Sequence, residues 1–396
     1  MTLETSLSSA ESGLKPALKK VNWKQVGAFL LLTFALTWGL DLFLYLKGGL
    51  TNPAVTMALQ LQMLLPAFSA MLLGMFFFKD SPIYLRTNRR TSRWFTWYFL
   101  FFTLLYIAAF LLVTLRPALL LTVSSLMMIP SVIGLLLALI LRLVGGKHSF
   151  STAGLGGGKA KWWLLLGLAV IAFMGLQTAL NWLFKLGSQP DLSSLYAQGS
   201  AAGMSDSLFS VVLTAQTVLL GPFLGLLITL GEEYGWRGYL QPALTKMGRV
   251  RGVLLVGIIW GIWHAPIILM GYNYPNHPVL GSLLMVLLCI GLAFILGFAV
   301  LKAKGVWIAA FLHALFNQVS SYFMGLIYTP RDTAFSFGIG LPGLLLMALV
   351  VLLLLRDPVW RQSDDESEPA AYPLLVAELS DDFGDADGTD GSHPQA

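Results

Sequence analysis

Two adjacent glutamates stand inside an apolar stretch, in the segment Gly231-Glu232-Glu233-Tyr234-Gly235-Trp236-Arg237. On an α-helix Glu233 and Arg237 are four apart and share a face, so the guanidinium can neutralise one carboxylate. Glu232 projects about 100° away around the same helix and can face a site. A carboxylate tied to arginine stays ionised and structural, whereas a desolvated one suits a general base. Two more pairs sit at helical spacing: Trp260 and His264 in Trp-Gly-Ile-Trp-His-Ala-Pro, and His313 and Asn317 in His-Ala-Leu-Phe-Asn. Each pair lies on one helical face. A desolvated carboxylate can act as a base on water, and a carboxamide N–H can stabilise a developing negative charge. Glu232 is the candidate base, with Glu233 held by Arg237. His264 can orient the water or share its proton, and Asn317 can donate to the oxyanion with His313 beside it. If Glu232, His264 and His313 converge, they could also form a two-His, one-carboxylate zinc site. The metal-independent route is preferred, zinc is the one cofactor the residues allow for, and no Ser or Cys nucleophile constellation competes.

These residues need elements to position them, and composition says what kind. Of 396 residues, 56% are hydrophobic and 11% charged, with mean hydropathy +0.74. Soluble domains carry about 25% charged residues. A soluble enzyme, a nucleic-acid-binding protein and a disordered regulator are thereby excluded, and the chain reads as an all-α polytopic membrane bundle. A bilayer-crossing helix needs about 20 mostly apolar residues. Ten such runs are expected: Val26–Leu46, Val55–Phe78, Trp94–Leu115, Ala118–Leu143, Trp162–Phe184, Leu219–Leu244, Gly252–Met270, Val279–Leu301, Gly305–Ile327 and Phe337–Leu355. The apolar stretch Leu208–Leu220 reads as a shallow or re-entrant piece. A first run of full span length after a polar start gives no cleavable signal peptide.

Basic residues set the orientation. With the N-terminus cytoplasmic, twenty of the 25 Lys and Arg fall in inside segments, against Lys47, Arg116, Lys185 and Arg331 outside. That asymmetry predicts both termini in the cytoplasm. Arg237 is the one left over, because the sixth span must run past the glutamates towards Leu244 to bring them to His264 and His313. The expected organisation is a cytoplasmic segment 1–24, spans without a catalytic motif over 25–207, a catalytic membrane core over 208–327, a last span within 328–356 and an acidic solvated tail over 357–396. From Gln362 onward that tail holds ten of the twenty acidic residues and no Lys or Arg. Asp41, Gln60 and Gln62 read as a lone polar patch, Trp236, Trp260 and Trp263 as packing residues, and Gly154–Lys159 as a glycine-rich loop without a phosphate-binding pattern. Cys289, the single cysteine, lies in an apolar run.

The three motifs together resemble the CAAX prenyl endopeptidase family of intramembrane proteases, also called the CPBP or Abi family. Its Glu-Glu-x-x-x-Arg matches Glu232, Glu233 and Arg237; its Phe-x-x-x-His appears as Trp260 to His264, with tryptophan in place of phenylalanine; its His-x-x-x-Asn matches His313 and Asn317. The resemblance covers roughly Leu219–Ile327, about a quarter of the chain. It implies peptide-bond hydrolysis at the membrane by a glutamate-activated water, in a glutamic or metallo-type endopeptidase. Relatives act on prenylated CAAX proteins or in bacteriocin immunity and peptide maturation. The implied partners are a membrane-associated protein or peptide and the bilayer, with no nucleic acid, and the implied location is a bacterial cytoplasmic membrane. The alternative is a proton-coupled transporter using the same buried groups as a relay, although no pair of similar halves is visible.

Overall fold

Lipid offers no hydrogen bonds to exposed backbone, so apolar runs that enter it fold as helices that satisfy their own N–H and C=O groups. A computed structural model shows this outcome and describes residues 21–86 and 91–361, with Lys147 and His148 as backbone only. The first five helices are α1 (Trp23–Leu46), α2 (Val55–Phe76), α3 (Ser92–Leu115), α4 (Leu120–Thr152) and α5 (Ala160–Leu183). A short α6 (Ser193–Ala201) leads to α7 (Asp206–Leu224) and α8 (226–244). Then come α9 (Arg249–Trp263), α10 (Ala265–Leu269), α11 (Pro278–Ala303), α12 (Trp307–Tyr322) and α13 (Leu341–Leu354). Strands β1 (Gly187–Ser188) and β2 (Thr329–Pro330) pair antiparallel in a connecting region.

Among the described residues, seven helical stretches are long and apolar enough to cross a membrane: α1, α2, α3, Pro117–Gly146 through most of α4, α5, α7 and α11. The protein is thus a polytopic helical bundle. The expected ten runs are redistributed at two places. The run Leu219–Leu244 is cut at Gly225, and its first residues belong to α7, which begins at Asp206 and absorbs the stretch read as re-entrant. The run Gly252–Met270 is cut at His264, between α9 and α10, just before Pro266, whose missing N–H cannot continue a helical ladder.

The three helices that carry the motifs, α8, α9 and α12, are not among the seven. Of these, α8 and α12 lie inside the bundle: every residue of α8 from Leu226 to Gly238 is buried, as is α12 from Trp307 to Phe316, while α9 buries one face and leaves Val250, Leu254 and Ile262 exposed. Their approach depends on glycine. A Cβ on Gly231 would collide with the Met63 carbonyl, and one on Gly235 with Pro66, so α8 crosses α2 backbone to backbone. Gly257 and Gly261 do the same for α9 against Ile290 and Val286 of α11. Small residues at four-residue spacing are a common means of close packing in membranes.

At one end of the bundle Arg249 donates to the Val359 carbonyl at 2.6 Å and Lys302 pairs with Asp357 at 2.7 Å. The stretch 357–361, expected to begin the solvated tail, is therefore docked onto α9 and α11. The rest of that tail, 362–396, and the N-terminal segment to residue 20 lie outside the described residues. At the opposite end His277 pairs with Asp332 at 2.9 Å.

Candidate active site

Glu232 and Glu233 close the regular part of α8. From Tyr234 to Leu240 the helix widens into a π-helical turn, a local geometry frequent at functional sites. Arg237 lies in that turn and reaches back to Glu233, with Nη1 donating to Oε1 at 3.1 Å, both side chains fully buried. The same Glu233 oxygen receives His313 Nδ1 at 2.8 Å. A carboxylate paired with arginine acts as acceptor, so the proton sits on His313 Nδ1 and the basic nitrogen is Nε2. Glu233 Oε2 and Arg237 Nε and Nη2 are buried without a hydrogen-bond partner, and the two charges answer each other instead. Thr229 Oγ donates to the Ala310 carbonyl at 2.8 Å, tying α8 to α12 one turn before the glutamates.

Glu232 turns the other way, as its angular offset from Glu233 predicts. Its Oε2 accepts the Trp260 indole N–H at 2.6 Å. Among the described residues no second protein donor reaches the carboxylate, and Glu232 lines a cavity of about 440 Å³. The cavity is shared by Trp260, His264, His313 and Asn317, which brings all three motifs to one space. His264 sits at the C-terminal end of α9, with Nδ1 2.9 Å from the Trp260 carbonyl. A carbonyl only accepts, so Nδ1 carries the proton and Nε2 is again the basic nitrogen. Cys289 approaches the same Nδ1 at 3.7 Å. With that nitrogen already committed as donor to a carbonyl, it cannot serve as a base for the thiol, and Cys289 is a wall residue.

Trp260, read from the sequence as packing, touches more of the site than any other aromatic. Its ring lies 4.1 Å below the Arg237 guanidinium carbon and 5.6 Å edge-on from His313, while its N–H holds Glu232. The signal was the tryptophan in a phenylalanine position, since only the indole brings a donor. The other unforeseen wall is α2, which contributes Leu59, Gln62 and Met63 from the half of the chain without motifs.

The zinc arrangement is not assembled. Among the described residues no three His, Cys, Asp or Glu side chains come close enough to hold a metal ion. Glu232, His264 and His313 face one cavity without coming together as a ligand set.

Comparison with known proteins reaches the same segment. Residues 214–319 match the family model of Rce1-like type II CAAX prenyl endopeptidases. The CAAX prenyl protease 2 of Methanococcus maripaludis is 32% identical over 101 residues, 24% of this chain and 37% of that relative. The match thus spans well under half of the relative's length. No solved structure matches. The family resemblance carried by the motifs is thereby shown for the segment that holds α8, α9, α11 and most of α12, while α1–α6 lie outside it.

Proposed function

We propose that this integral multi-pass membrane protein is an intramembrane endopeptidase that hydrolyses a peptide bond near the C-terminus of a membrane-associated, CAAX-type substrate. The observation that carries the reading is the cavity itself: one carboxylate, two imidazoles with their Nε2 atoms uncommitted and one carboxamide border a common space inside an apolar bundle. In this reading Glu232 takes a proton from a water held between it and His264 Nε2. The resulting hydroxide attacks the scissile carbonyl carbon. The oxyanion accepts from the Asn317 amide, and Glu232 returns the proton to the leaving amine as the C–N bond breaks. Glu233 and Arg237 do no proton transfer; they hold His313 and the backbone turn that aims Glu232.

No step passes through a metal. Cleavage of a farnesylated CAAX peptide by purified protein is expected to persist in chelator and to vanish in Glu232→Ala and His264→Ala, with both variants still in the membrane fraction. Cleavage that chelator abolishes and zinc restores would overturn the metal-independent route. Proton flux into liposomes that depends on Glu232, without cleavage, would favour the transport alternative. The basic-residue asymmetry gives the sidedness in this proposal, with both termini cytoplasmic in a bacterial cytoplasmic membrane.

A further inference from the structure

A carboxyl group within a membrane helix is expensive to bury and needs a reason to be there. Asp41 of α1 is 2% exposed and accepts a hydrogen bond from Gln62 Nε2 of α2 at 2.6 Å. In that bond the Gln62 carboxamide is turned with its nitrogen towards Asp41 and its carbonyl oxygen away from it. Gln62 is one of the residues lining the Glu232 cavity, where Leu59 and Met63 flank it. No protein donor among the described residues reaches its Oε1, and unlike Asp41 Oδ2 that oxygen is not sealed from open space. The backbone crossing of Gly231 on Met63 sets this wall beside the turn that bears Glu232. An oriented acceptor therefore lines the same cavity as the candidate base, between Leu59 and Met63 of α2.

A peptide entering the cavity brings backbone N–H groups out of water, and each left without an acceptor would weaken binding. We propose that Asp41 and Gln62 form a backbone-reading subsite, in which Asp41 locks the carboxamide so that Gln62 Oε1 accepts one peptide N–H of an extended substrate lying across Glu232. The subsite rests on the peptide-hydrolysing reading of the cavity. It differs from a pair that merely satisfies two buried side chains, since such a pair would be indifferent to the donor on the ligand.

The test is binding to full-length protein in detergent, with Glu232→Gln introduced to stop turnover. The probes are a farnesylated CAAX tetrapeptide and three analogues, each N-methylated at one peptide nitrogen. One analogue is expected to bind about tenfold more weakly than the parent, the value of one hydrogen bond near 1.4 kcal/mol. In Gln62→Met the parent should fall to the level of that analogue, and the difference between the two should disappear. Asp41→Asn, which lets the carboxamide turn over, should shrink the difference. Should Gln62→Met fail to accumulate with Asp41 left unpaired, the double variant Asp41→Leu/Gln62→Met removes both groups and serves in its place. Equal binding of all four probes, the same discrimination with and without Gln62, or no binding of any probe would overturn the proposal. If discrimination follows Gln62 but the wild-type protein does not cleave the parent, the protease reading falls and the subsite stands; cleavage without discrimination gives the reverse.

Discussion

Trp260 holds Glu232 through its indole N–H, stacks under Arg237 and meets the edge of His313. A hydrogen bond to a charged group contributes about 1.5–3 kcal/mol. In Trp260→Phe, which keeps an aromatic ring and loses only the donor side of the indole, kcat is therefore expected to drop about 10- to 100-fold with KM changed little, as steady-state cleavage would show. Arg237 carries a different burden. Its loss leaves Glu233 as an uncompensated buried charge, which costs about 3–5 kcal/mol. Arg237→Ala should fail to accumulate as a monodisperse species in detergent size-exclusion, whereas Glu233→Gln/Arg237→Gln should recover folded protein without recovering cleavage. At this scale the sequence was informative where residues lie within a helical turn of each other: Glu233–Arg237 and the outward turn of Glu232 follow from 3.6 residues per turn. It was silent on Trp260 reaching Glu232 and on Gln62 entering the cavity. Both contacts join residues far apart along the chain, and no periodicity encodes which side-chain atom meets which.

The helices that bear the chemistry are the short, broken ones, enclosed by longer apolar neighbours. That division has a physical cause. Charged side chains and irregular turns survive at membrane depth only when other protein covers them. Hydropathy therefore read the outer helices to within a few residues, Val26–Leu46 against Trp23–Leu46 for example, and placed α12 with its π-helical end as Gly305–Ile327, but it ran α8 and α9 into their neighbours. An apolar window cannot distinguish a helix from two helices joined at Gly225 or parted at His264, and a π-helical turn leaves no pattern in residue types. The close crossing of α8 on α2 supplies the prediction at this scale. Gly231→Val must push the two backbones apart, a strain of about 1–3 kcal/mol, and should lower both thermal stability in detergent and cleavage. Gly27→Ala, where a methyl group meets nothing within 4 Å, is the control and should leave both unchanged. The docking of 357–361 gives a pH dependence. Burial alone would raise the Asp357 carboxyl, but the Lys302 ammonium and the Val359 N–H outweigh it and hold the group below the usual carboxylate range. A depressed value means its stabilisation is complete above pH 4, near the unfolded carboxylate value. It is lost only as pH falls further, when cleavage of the segment around 357–361 by pepsin, which is active in that range, should accelerate.

Across the whole molecule, basic side chains gather at both ends of the helices. Arg249, Lys302 and the 357–361 segment meet at one end, while Arg331 and Lys185 flank the β1–β2 connection at the other. If the asymmetry of basic residues along the chain sets the orientation, the two ends face opposite sides of the bilayer. Cys289 is the only cysteine, so a Cys289→Ser background permits a direct check. Lys246→Cys should be labelled by an impermeant maleimide only in inside-out vesicles, and Lys185→Cys only in right-side-out ones. Labelling of both from one side would contradict the arrangement. The central claim, that a water activated by Glu232 cuts a peptide inside this bundle, is tested most directly by mass spectrometry of a farnesylated CAAX peptide incubated with purified wild-type protein and with Glu232→Ala. The account predicts a new shortened peptide with the wild type, none with Glu232→Ala, and the same product when chelator is present. An intact peptide with both proteins, or equal cleavage by both, would contradict it.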